Sequence, residues 1–336
     1  MKRILALVVA MAMMTSMAFA DAVLINGAGA TFPYPIYSKW FDEYSKVNPG
    51  VLFNYQSIGS GGGIKQITAK TVDFGASDGP MTMDQLTAAP GRIYHIPTVM
   101  GAVVIAYNLD GVSKGLKLSG DVLADIYLGK ITQWNDPRIT EQNTGVNLPN
   151  ASIVVVHRSD GSGTSYIFTD YLSKVSAEWK GKVGKATSVN WPLGLGGKGN
   201  EGVAGMLKQT PGGIGYVELA YAKENNLPYA FMKNQSGTYI EPTLESTSKA
   251  ADGASIPDDF RVSVVNSPNP EAYPIASFTW LLIYKQMDDP VKGKAIVDFI
   301  KWAITDGQKY AESLDYAPLP ANVVGLIQQK LDKVKF

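Results

Sequence analysis

"VVVHRSDGSGTSYIF", residues 154–168, is the stretch on which the reading of the fold turns. An apolar, β-branched run, Ile153 to Val156, ends in His157 and Arg158. Asp160 follows, then Gly-Ser-Gly-Thr-Ser, then a helix-like run over Tyr166 to Val175. Strand, polar glycine loop and helix form the unit of an α/β sheet, where ligands sit beyond the carboxyl ends of strands. A helix N-terminus offers free N–H groups and partial positive charge. Gly161 and Gly163 let backbone approach a ligand closely, Ser162 and Thr164 add hydroxyls, and Arg158 adds a fork of donors suited to an oxyanion. The segment reads equally well as a solvated turn capped by Ser or Thr.

Outward from it, the chain alternates short strands with amphipathic helices. Val51–Tyr55, Val72–Ala76, Ala102–Tyr107, Gly213–Val217 and Thr279–Tyr284 join Ile153–His157 as strands. Ile36, Trp40, Tyr44 and Val47 mark one helix face, Ile64, Ile67 and Thr71 another. Ile296, Ile300, Ala303 and Ile304 mark a third, and Val323, Leu326, Ile327 and Leu331 a closing one. Residues 186–202 and 233–256 read as loop-rich. With 336 residues, the chain is long enough for two domains.

Two further loops repeat the opening pattern. In "NGAGATFPYPIYSKW", 26–40, two glycines precede Thr31 and Phe32, and Pro33 suits a first helical turn. Taken alone, Thr31 reads better as a helix cap than as a donor to a ligand. In "SIGSGGGIKQI", 57–67, Ser60 precedes three glycines that run into a helix. A cap needs no such triplet, and each glycine costs about 0.5–1 kcal/mol in a helix relative to alanine, so close backbone approach is favoured there. Three such loops are what a cage of N–H and O–H donors around one small anion requires.

"TVDFGASDGPMTMDQL", 71–86, ends a strand at Ser77 and Asp78. Asp78 is either an Asx-turn before a helix capped at Thr82 or an acid facing the anion. In the second case it repels a fully ionised dianion by about 4 kcal/mol per charge pair, at an effective dielectric of about 20 and about 4 Å. Phosphate keeps a proton at neutral pH, and a carboxylate accepts a hydrogen bond from it. Sulfate has none to give, so Asp78 would favour phosphate.

Composition narrows the class. Formal net charge is zero, with 45% apolar and 18% charged residues, so no basic excess exists for nucleic acid. Lys2, Arg3, the run Ile4–Met14 and Ala18-Phe19-Ala20 read as a cleavable secretory leader, residues 1–20, cut after Ala20. Its removal leaves 28 basic against 30 acidic residues, and no Cys follows the cut to take a lipid. The expectation is a periplasmic protein without a lipid anchor. The absence of Cys also excludes thiol nucleophiles and Cys-ligated zinc. His95 and His157 form no metal pair, and Ser162 sits in no G-x-S-x-G motif and has no recognisable base. "GLGGKG", 194–199, matches a dinucleotide fingerprint only formally, because Trp191-Pro192 stand where a strand is needed.

Together "GAGATFPYPIY", "GSGGGIKQI", "VDFGASDGP", "RSDGSGTS", "GLGGKGN" and "GIGYVE" resemble the periplasmic phosphate-binding proteins of Pst-type ABC transporters, in family order over nearly the whole mature chain. The resemblance implies a two-lobed α/β fold, the type II periplasmic-binding-protein fold, with the ligand cleft between lobes joined by two crossover segments. Lobe I would comprise 21–107 and 272–336, and lobe II 108–271. It places the phosphate ligands on Thr31, Phe32 (through its N–H), Ser60, Asp78, Arg158, Ser162, Gly163 and Thr164, with Asp160 steering the arginine. Where some members carry a second Ser after the one at Ser60, this chain has Gly61. It further implies binding and closure without bond chemistry, no cofactor, no metal and no nucleic acid. The implied partners are a membrane permease and its cytoplasmic ATPase, and the implied state is a monomer.

Overall fold

A 15-residue strand, Ile93–Tyr107, buried along its whole length, organises the structure, a computed structural model that describes residues 22–336. The leader expected over residues 1–20 lies outside the described residues. In chain order the strands are Val23–Gly29 (β1), Val51–Ser57 (β2), Phe74–Ser77 (β3), Ile93–Tyr107 (β4), Lys117–Leu118 (β5) and Val154–Arg158 (β6). Leu195–Gly197 (β7), Gly213–Glu218 (β8), Phe231–Lys233 (β9), Tyr239–Ile240 (β10) and Ala276–Tyr284 (β11) complete them. Eight form one sheet in the order β2-β1-β3-β11-β4-β8-β6-β7, and β10-β9-β5 form a small second sheet.

The long strand changes partner two-thirds of the way along. Its first part, Ile93–Ala102, pairs antiparallel with β11, ending with Ala102 opposite Ala276, and its last part, Val103–Tyr107, pairs antiparallel with β8. One lobe is therefore built on β1, β2, β3 and β11, the other on β6, β7 and β8, with β4 and the entry to β11 crossing between them. The Val103 N–H donates to the Ile275 carbonyl at 2.8 Å, so the two crossing segments touch at the hinge. Val103–Tyr107 thus shares its ladder with β8, a strand of the second set.

Register explains where a ligand would sit. Within each lobe the strands that carry the loops run parallel. Ser77, the end of β3, lies opposite Trp280, and Trp280 opposite Pro97. Glu218, the end of β8, lies opposite Val103. Both sets of carboxyl ends thus converge on the stretch around Gly101 from opposite sides, where open α/β sheets bind ligands.

Most expected elements are present, and the differences are local. The second helix is Ser60–Thr68 and stops before Thr71. Residues 93–101 extend Ala102–Tyr107 into one long strand, and β1 occupies the start of a glycine-rich stretch read as a loop. The segment 186–202 holds β7 and the start of helix Gly199–Lys208. Among the described residues no helix is long and apolar enough to cross a membrane, and no group of three His, Cys, Asp or Glu could hold a metal ion.

Candidate functional site

Five segments close on one another between the lobes. From the first lobe come the turn after β1 with Thr31 and Phe32, the N-terminus of helix Ser60–Thr68, and the turn after β3 with Asp78. From the second come the loop after β6, with Arg158 to Thr164, and the N-terminus of helix Gly199–Lys208. The lobes meet through the Gly61 N–H on the Gly161 carbonyl at 2.8 Å. A Cβ on Gly163 would overlap both Asp78 Oδ2 and Ser60 Oγ, so glycine alone lets the two walls approach this closely.

Arg158 is 2% exposed, and its guanidinium is fixed on three sides. Its Nε donates to Asp160 Oδ1 at 2.8 Å, its Nη2 to Asp160 Oδ2 at 2.6 Å, and its Nη1 to Thr164 Oγ1 at 3.3 Å. This two-point pairing is the strong, orienting kind. Burial pushes the Asp160 carboxyl up, but the hydrogen bonds and charge of Arg158 outweigh it and leave Asp160 below the usual range. Asp160 also accepts the Gly199 N–H at 3.1 Å, which joins the second loop of this wall to the first.

Asp78 points into the cleft. The local turn is made by Ser77, whose hydroxyl accepts the Gly79 N–H at 3.2 Å, and Thr82 caps helix Met83–Ala88 with Gln85 completing a capping box. Asp78 is thereby released from an Asx-turn. Its Oδ1 accepts from Thr279 at 2.7 Å, and its Oδ2 faces Ser60 and Gly163. Burial pushes its pKa up to about 7, against the opposing pull of the Thr279 hydrogen bond, Arg158 and Ser60.

The other expected residues gather here too. Ser60 Oγ accepts the Asp78 N–H at 3.1 Å. Phe32 is fully buried, with its ring against Gly101 and its carbonyl accepting from Tyr316 at 2.6 Å. Among the described residues, the N–H groups of Phe32, Ser60, Gly163 and Thr164 find no acceptor. Orphan donors at helix starts are the usual anion-binding groups. Ser162 caps its own helix by accepting the Ser165 N–H at 3.0 Å, so the cap reading describes its lone pair and leaves its proton available. Thr31 does not cap with its side chain: its hydroxyl accepts from Asn200 instead. Neither histidine serves Ser162, since His95 accepts the Met81 N–H and His157 stacks on Trp191.

Two participants escaped the sequence reading. Thr279 reads as the first residue of a strand. Asn200 closes "GLGGKGN", a fourth glycine-rich run into a helix, and that likeness to the other three loops was the available signal.

Two α/β lobes on two crossing segments, with a cleft lined by helix starts, make this a type II periplasmic-binding-protein fold. A family model described as a PBP superfamily domain matches residues 18–307. The "Phosphate-binding protein PstS" of Xylella fastidiosa (strain 9a5c) is 49% identical over 310 residues, covering 91% of this chain and 84% of that one. The protein of the same name from Haemophilus influenzae is 48% identical over 315 residues, with 93% of each covered. Among solved structures, a high-affinity periplasmic phosphate-binding protein bound with phosphate superposes with a TM-score of 0.74 at 23% identity, over 91% of this chain and 93% of that one, a likeness of fold. The chain belongs to the PBP superfamily and, within it, to the PstS family.

Proposed function

We propose that this protein captures inorganic phosphate between its lobes and delivers it to an ABC-type importer, without making or breaking a covalent bond. The ligand set is Thr31, the Phe32 N–H, Ser60, Asp78, Arg158, Ser162, Gly163 and Thr164, with Asp160 holding the arginine. The observation that carries this reading is Asp78, a buried acid aimed across a cleft otherwise lined by donors. A donor-only cage suits any small oxyanion. An acid inside it suits one that brings a proton, which at neutral pH is phosphate and not sulfate.

The lobes hinge where β4 changes partner, between Ala102 and Val103, and before β11, with residues 22–102 and about 276–336 on one side. Closure excludes water and strengthens each hydrogen bond to the ion. The closed monomer then docks on permease subunits whose cytoplasmic ATPase drives uptake, after export by the 1–20 leader to the periplasm. A thermal-shift series with phosphate, arsenate, sulfate and molybdate tests the reading. Phosphate and arsenate raise the melting temperature, and sulfate and molybdate leave it near the ligand-free value. An equal rise with sulfate would overturn it.

A further inference from the structure

Asn200 lies at the second position of helix Gly199–Lys208, fully buried, with its N–H and both side-chain polar atoms engaged. Its Oδ1 accepts the Glu218 N–H at 3.0 Å. Because that N–H can only donate, the amide oxygen must face it, and the NH2 must face the cleft. The NH2 then donates to Thr31 Oγ1 at 2.8 Å and to Thr164 Oγ1 at 3.1 Å, while the Asn200 N–H also donates to Thr31 Oγ1 at 3.2 Å.

A threonine hydroxyl has two lone pairs and one proton. Thr31 Oγ1 has both lone pairs taken, by the Asn200 N–H and its amide. Thr164 Oγ1 likewise has both taken, by the Asn200 amide and Arg158 Nη1. Each hydroxyl therefore has only its proton left to offer. Thr31 stands in the first lobe and Asn200 in the second, so this contact exists only when the lobes are together.

We infer that Asn200 is a positioning residue that forces Thr31 and Thr164 to act as donors toward the bound anion and latches the closed lobes. The inference rests on the phosphate reading above. Without Asn200 both hydroxyls can rotate and present lone pairs to the anion, and one cross-lobe tie is lost.

The test is a double-mutant cycle of Asn200→Ala and Thr31→Val, read by the affinity and release rate of inorganic phosphate, with ligand-free melting temperatures alongside. Asn200→Ala is expected to weaken binding about 10–30-fold, the scale of one or two lost hydrogen bonds. Most of that loss falls on the release rate. In the Thr31→Val background the loss shrinks at least about threefold. If the loss is the same in both backgrounds, or absent, Asn200 has no positioning role. If Asn200→Ala does not fold, Asn200→Ser keeps a small polar side chain there and enters the same cycle. Failure of the wild-type protein to bind phosphate would overturn the phosphate reading. Normal wild-type binding with an additive cycle would overturn this inference alone.

Discussion

The second-lobe wall of the cleft carries a cation whose fork is half engaged by Asp160, whereas the first-lobe wall carries an acid that burial holds partly protonated near neutral pH. The two walls thus divide the work. Arg158 and Asp160 nearly cancel, so the attraction of this wall for an anion rests on directed donors more than on net charge. Once ionised, as pH rises above about 7, Asp78 opposes any anion without a proton to give. On the proposed reading one wall holds the anion and the other selects it, and each can be broken separately.

The largest effect should come from Arg158→Ala. It removes the cation and leaves Asp160 partly buried without its partner. Breaking such a pair costs about 3–5 kcal/mol of stability, read as a lower melting temperature. Loss of the charged hydrogen bonds to the ion should lower phosphate affinity by roughly 10²–10³-fold, as read by calorimetry. A loss under tenfold would mean that the second wall does not hold the anion.

A smaller effect concerns stability without ligand. The folded Asp78 carboxyl titrates at about 7 against 3.8 in the unfolded chain, so the folded protein keeps a proton that the unfolded chain releases. Stability contributed by this group is present at low pH and is lost as pH rises through about 7. Asp78→Asn removes that loss. In denaturant melts the variant should be more stable than wild type at pH 8, on the order of 2–4 kcal/mol, with a clearly smaller gain at pH 5. A gain that is equal at both pH values would mean that Asp78 is not held protonated by burial.

The smallest effect is on salt. With Arg158 and Asp160 paired and buried, screening has little net charge to act on. Phosphate affinity should change less than about threefold between roughly 0.05 and 0.5 M sodium chloride. A tenfold fall would show that the second wall works by net charge.

Local chemistry made much of this legible in advance. The loop 158–164 showed its strand, its helix and its arginine, because glycines, hydroxyls and a cation mark a helix start by residue type alone. The glycine triplet after Ser60 was partly legible for the same reason, since close approach was the favoured account of it, and Gly61 does meet Gly161. What the sequence hid was long-range. The direction of Asp78 depends on Thr279, some two hundred residues away, and on Ser77 taking over the turn. The role of Asn200 depends on the lobes meeting, which no local pattern records. Strand Ile93–Tyr107 was half hidden because burial on both faces removes the alternation that marks a strand.

The most direct test of the division between walls is calorimetric titration of wild type and Asp78→Asn with phosphate and with sulfate at pH 8. Wild type should bind phosphate and show no measurable sulfate binding. Asp78→Asn should weaken phosphate binding about 10–100-fold, the scale of one hydrogen bond to a charged group, and should bring sulfate binding into range. If wild type binds sulfate as well as phosphate, or if the variant leaves the gap between them unchanged, Asp78 is not the selecting group.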